Sequence, residues 1–258
     1  MSSDRIIKTV TQYNKEPISA GDMEKLVAIA KDYCTVKDIV YRKYGGIRSI
    51  AKLYHGYDVQ NEMNAGDIRQ KMDMPSVYFN LAVHDAAAGI RTEWTRIKKR
   101  IQSNIFANDN LNEADRHYLR FIMKITPLFA VVLCEKEISH DESYSDSFFE
   151  LGSGVDRERL NRYLCRQVRK YHKILKCGEA DGFRITKKAY RYADHGIYIS
   201  GKQKRQRIFV PLTDNNRYDS QLYIRLFPDE GRLEIKVPVE VRIKEHDDYK
   251  KLVGNCHT

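Results

Sequence analysis

No run in this 258-residue chain approaches the ~18–20 consecutive apolar residues of a membrane span, and its first residues carry no signal-peptide core. A cytoplasmic location without a membrane partner is therefore expected. The five cysteines (Cys34, Cys134, Cys165, Cys177 and Cys256) form neither a CxxC nor a CxxH pair. Such spacing gives a structural zinc site poor support, and reduced, mostly buried thiols are expected. The eight histidines show no HExxH or other helical pair, which leaves them structural or solvated. Gly152-Ser153-Gly154 is not followed by GK[ST], a poor signal for a phosphate loop. His84 and Asp85, with Glu93 nearby, point in different directions on a helix and read as structural rather than acid–base groups. Asp214-Asn215-Asn216 reads as a turn, since Asp and Asn satisfy backbone groups there. No Ser/His/Asp or Cys/His set assembles, and no internal repeat or low-complexity tract is present. No catalytic residue and no metal ligand is assigned.

What the chain does have is segregated charge. Hydrophobic residues make up 42% and charged residues 31%, the balance of a folded chain with room for one or two domains, and the net charge is +10. Residues 1–155 carry 21 basic and 21 acidic side chains, whereas residues 157–207 carry 16 basic and 4 acidic ones. Concentration of the excess in one segment raises the local potential and favours a polyanion partner over a merely solvated face.

The densest stretch is Arg157–Lys176, with eight Lys/Arg against the single acid Glu158. Leu160, Leu164, Val168, Tyr171 and Leu175 form an apolar stripe at helical spacing, while Arg162, Arg166, Arg169, Lys173 and Lys176 form a second stripe roughly 200° away. A helix over the whole stretch would bury one side and present a cationic row about 21 Å long to phosphates. Lys170 adds to it. A second basic bank, Lys202, Lys204, Arg205 and Arg207, falls on a turn and strand and would extend the row into one groove. Arg42, Lys43 and Arg48 interleave with Tyr41 and Tyr44, a mixture suited to stacking plus phosphate contact. Packing of those tyrosines behind a glycine-capped helix end is the stronger reading. Lys98 and Lys99 lie on the far side of a long helix.

Period-two alternation predicts a strand at Arg5–Tyr13. Helical spacing predicts helices at Met23–Tyr44 (starting from Ser19–Asp22), Ile47–Tyr54, Asn64–Met72, Pro75–Phe106 and Asn112–Ile138, the last bent near Pro127. Ser139–Gly154 reads as a surface loop. After Gly178 short strands are predicted at 183–185, 190–192, 197–199, 207–211, 222–226 and 233–243. The expected fold class is α+β, a small β domain whose first strand is split off by a helical insertion.

The strings YGGIRSIAKLYHGYDVQNEMNAGDIRQKMDMPSVYFNLAVHDAAAGIRTEWTRIKKRI (Tyr44–Ile101), EADRHYLRFIMK (Glu113–Lys124), IFVPLTDNNRY (Ile208–Tyr218) and VPVEVRIKEHDDYKKLVG (Val237–Gly254) resemble the TnpB-like proteins of bacterial insertion-sequence transposons. That family goes by the name transposase and is related to type V CRISPR effectors. The resemblance implies a wedge-type β-barrel whose first strand (1–13) is separated by a helical recognition lobe (14–178) from the remaining strands (179–252). It also implies guide RNA and target DNA as partners, with base pairing supplying most sequence choice. Relatives continue after a segment like Leu252-Val253-Gly254 into a RuvC-type two-metal nuclease with an inserted zinc ribbon. Here residues 253–258 end without the expected Asp, so no cofactor and no catalysis is expected of this chain, whereas full-length relatives would use a divalent metal and a structural zinc. The expected role is the nucleic-acid-binding portion of such a protein. The alternatives are an RNA-guided repressor that does not cleave, and one half of a split RuvC-type nuclease.

Overall fold

The alternation at the start of the chain gives strand β1 (Arg5–Tyr13), whose partner is β7 (Arg232–Arg242), far along the sequence. A computed structural model describes residues 5–54, 57–138 and 142–242. It divides into two compact units: Met1–Thr35, Arg69–Ala82 and Gly178–Thr258 form the first, and Val36–Ile68 with Val83–Cys177 the second. This division assigns the start of the first long helix and residues 69–82 to the β-containing unit. The end of the predicted 233–243 strand and the resemblance-bearing tail beyond Arg242 lie outside the described residues, as does Cys256.

In the first unit, β2 (Gly182–Ile185), β3 (Tyr190–Ala193), β4 (Gly196–Ser200), β5 (Arg207–Pro211) and β6 (Leu222–Phe227) are the other strands among the described residues. They form two antiparallel sheets, ordered β1-β7-β6-β2 and β3-β4-β5, joined by a bridge between Asn14 and Leu212. Among the described residues these small sheets do not close into a barrel. Alternate positions bury Ile197, Ile199, Ile208, Val210, Ile224 and Ile235, as period two requires. One buried polar residue sits among them. Gln12 donates to Asp214 Oδ1 (2.8 Å) and Asn216 O (3.0 Å) and accepts from the Tyr192 hydroxyl (2.7 Å), so its desolvated amide is satisfied. Asp214 also accepts from the backbone N–H of Asn216, so this segment is held as a turn by its own carboxylate.

Helix α1 (Ala20–Tyr44) starts where Ser19 Oγ accepts from the Asp22 N–H and buries Leu26, Ala30, Tyr33, Val36 and Val40 at the expected spacing. After a 3-10 turn at Ile47–Ser49 come α2 (Ile50–Leu53), α3 (Asp58–Ala65), α4 (Ile68–Lys71) and the long α5 (Ser76–Phe106). The helix expected at Asn64–Met72 instead begins at Asp58 and breaks at Gly66, which takes an extended conformation. The bent helix expected at Asn112–Ile138 is two helices. Asn112 caps α6 (Glu113–Lys124) by accepting from the Asp115 N–H, Ile125 is extended, and Pro127 opens α7 (Thr126–Leu133). Part of Ser139–Gly154 is helix α8 (Ser145–Ser153) rather than loop, because Phe148 buries itself 5.7 Å from the Tyr118 ring. No described helix is long and apolar enough to cross a membrane.

The cysteine expectation also needs correction. Reduced thiols are found at Cys134 and Cys165, which are free, but Cys34 and Cys177 are each in a disulfide. Cysteines outside a short-range motif give no spacing signal for such a bond.

Candidate nucleic-acid interface

The basic stretch forms α9 (Arg157–Tyr171), capped by the Asp156 carboxylate on the Arg159 N–H. It stops five residues short of Lys176. His172 leaves the helix (φ −72°, ψ 128°) because its ring stacks on buried Trp94, centroids 4.8 Å apart at 20°, and its Nε2–H donates to Gly45 O at 2.8 Å. Tertiary docking thus outweighs the local periodicity. Lys173 and Lys176 are exposed on a segment outside any helix or strand, so the continuous helical row of five cations is corrected to three, Arg162, Arg166 and Arg169.

Leu160, Leu164 and Val168 are fully buried and turn those three arginines outward. They line a cleft of about 810 Å³ with Arg159 and Lys136, against two carboxylates, Glu135 and Glu158. Arg162 lies 3.5 Å from Glu158 and Arg169 lies 3.8 Å from Glu135, both pairs largely exposed. Exposed pairs at such distances contribute about 0–1 kcal/mol, so a phosphate can displace them. Arg166 has no carboxylate partner among the described residues. Arg159, which lies outside the stripe expected from the sequence, is fixed by a 2.7 Å bond to Asp115, whose side chain is 4% exposed. At the floor, burial pushes the Cys165 thiol above its ordinary pKa and keeps it neutral. Lys170 is exposed, 5.4 Å over the Tyr171 ring, and Asn104 anchors that ring's hydroxyl at 2.6 Å.

A second cationic cleft, about 490 Å³, lies along α5 and α6. Lys98, Lys99, Arg120 and Lys124 line it with no carboxylate among the lining residues. The sequence points to the first two. The i,i+4 spacing of Arg120 and Lys124 on α6 was the signal for the others. Half-buried Lys98 lies 4.5 Å over the Phe129 ring, and burial lowers its pKa from 10.5 to about 8. The folded state therefore binds fewer protons than the unfolded chain between about pH 8 and 10.5 and, by linkage, gains stability as pH rises through that window. Denaturant melts of the parent and of Lys98→Met should show the parent gaining relative to the variant from pH 8 to 10; a constant difference contradicts it.

The remaining cations divide. Lys202 is half-buried and committed to Asp32 at 2.5 Å, so it is corrected from a phosphate contact to an internal ion pair. Lys204 and Arg205 are exposed in the β4–β5 turn, and Arg207 donates to Ser200 Oγ at 2.6 Å. This bank belongs to the first unit and α9 to the second. Arg42 donates to Asp38 O, Lys43 stands 4.0 Å from Glu62, and Arg48 is exposed. Tyr41 and Tyr44 are buried, and Tyr44 donates to Glu62 at 2.9 Å, so they pack rather than stack on bases. Gly45 follows because a Cβ there would sit 2.4 Å from Tyr41 O. His84 packs edge-on to Tyr57, 5.9 Å between centroids, and burial lowers its pKa. Among the described residues no group of three or more His, Cys, Asp or Glu is placed to hold a metal ion.

Comparison with known proteins adds no relative to this geometry: no protein-family model matches the chain, and no curated protein matches it at a significant level.

Proposed function

We propose that this chain binds nucleic acid in the manner of the N-terminal portion of a TnpB-like protein, holding guide RNA and its heteroduplex with target DNA. The finer architecture of that reading is a wedge-type barrel with a recognition lobe inserted after its first strand, and β1 pairing with β7 across the helical segment is consistent with it. The observation that carries the reading is the α9 cleft, where Arg162, Arg166, Arg169 and Lys136 face two weakly engaged carboxylates. An array of guanidiniums on one rigid helix holds phosphates bidentately at fixed spacing and fixes register without reading bases. No cleavage chemistry is assigned to these residues.

The test is a salt titration with a 20-base-pair RNA–DNA heteroduplex. Arg162→Glu, Arg166→Glu and Arg169→Glu together should flatten the slope of log K against log salt by roughly 2–3, since each lost phosphate contact removes about 0.9. Binding of this triple variant with the parent's slope would refute the assignment.

A further inference from the structure

Alternation leaves the β3-β4-β5 sheet with one face in the core and one bare, and the bare face is not the polar surface such a sheet normally carries. Tyr198 and Phe209 stand opposite each other in register, ring centroids 4.9 Å apart at 46°. They remain 40% and 43% exposed. The Phe209 ring lies across Gly196, where a Cβ would come within 2.5 Å of it, so the missing side chain seats the ring on the backbone. Arg191 stands opposite Tyr198 on the other flank. Arg207, two residues before Phe209, shares the face and is steadied by Ser200 Oγ. The β4–β5 turn adds Lys204 and Arg205 at one end. Among the described residues none of these four cations has a carboxylate partner.

Two pinned rings between unpaired cations select an occupant. Protein partners deplete charge from the centre of an apolar patch, whereas a single strand offers flat π-faces joined by phosphates. We propose that this face is a stacking platform for unpaired bases of single-stranded nucleic acid, Tyr198 and Phe209 taking bases while Arg191 and Arg207 take the flanking phosphates. The inference rests on the nucleic-acid reading above but uses different residues, in the other unit.

The experiment compares a labelled U12 oligonucleotide with an abasic 12-mer of equal charge. The parent should prefer U12 by roughly tenfold or more, the scale of base–aromatic stacking. Tyr198→Leu with Phe209→Leu keeps apolar bulk over Gly196 and should bind both probes alike, at the parent's abasic affinity and salt slope. Should the double variant fail to fold, Tyr198→Leu alone should lose about half of the preference on a logarithmic scale. A parent that binds the two probes equally, or a folded leucine variant that keeps the preference, overturns the platform. So does a parent dimer in sedimentation that Tyr198→Glu dissociates, since a second copy would then own the face. The α9 charge-reversal variant should keep the base preference; if its heteroduplex salt slope matches the parent's while the leucine variant loses the preference, the α9 assignment fails and the platform stands.

Discussion

Trp94→Ala is expected to lower stability by about 3–5 kcal/mol, the range for deleting a large buried aromatic, out of a total near 5–15 kcal/mol. Trp94 is the only tryptophan and is 1% exposed. One side of the indole stacks on His172, and Phe129 meets it edge-on at 6.1 Å. Truncation leaves a cavity and also frees the contact that ends α9. Circular dichroism against guanidinium is the suitable readout, because the variant has no indole fluorescence. Trp94→Phe, which keeps an aromatic surface for His172, should recover a substantial part. A loss below about 1 kcal/mol would contradict the packing described.

The second large effect is expected at Arg159. Arg159→Met should cost about 2–3 kcal/mol, reduced from the ~3–5 kcal/mol of a fully buried pair because the arginine side chain is 45% exposed. The cost arises from Asp115, left as a desolvated carboxylate without its counter-ion. Adding Asp115→Asn should therefore restore stability rather than lower it further, a non-additivity that a double-mutant cycle in urea would measure. Independent losses that simply add would show the bond contributes little. Arg159→Met should also change the heteroduplex salt slope less than loss of Arg166, because Asp115 already neutralises that guanidinium.

These two sites mark the limit of what the sequence discloses. Periodicity located β1, the six later strands, α1 and α5 almost to the residue, since each has a regular buried stripe that local pattern records. It extended α9 five residues too far, because the stop at His172 is written in Trp94 and Gly45, distant in the chain. It read Ser139–Gly154 as loop from serine and acid content, although Phe148 within it finds a pocket on Tyr118. The arginines of α9 were legible because burial of Leu160, Leu164 and Val168 dictates where they point. Lys202 was not, because a basic turn residue and one paired with Asp32 look identical in one dimension. Tyr198 and Phe209 escaped notice for a related reason: alternation marks the outward face but not which outward residues meet across strands.

The pairing of β1 with β7 has a consequence for biosynthesis. Arg5 and Glu240, ion-paired across it, are 235 positions apart. At about 5–20 residues per second, a ribosome leaves the first strand waiting on the order of ten seconds or longer for its mate. During that interval its main-chain donors and acceptors, with Ile7 and Val10 alongside, are an open template for any neighbouring nascent chain. Slow closure of so long a loop makes yield in the cell depend on translation speed and chaperone cover as well as on the stability of the finished protein.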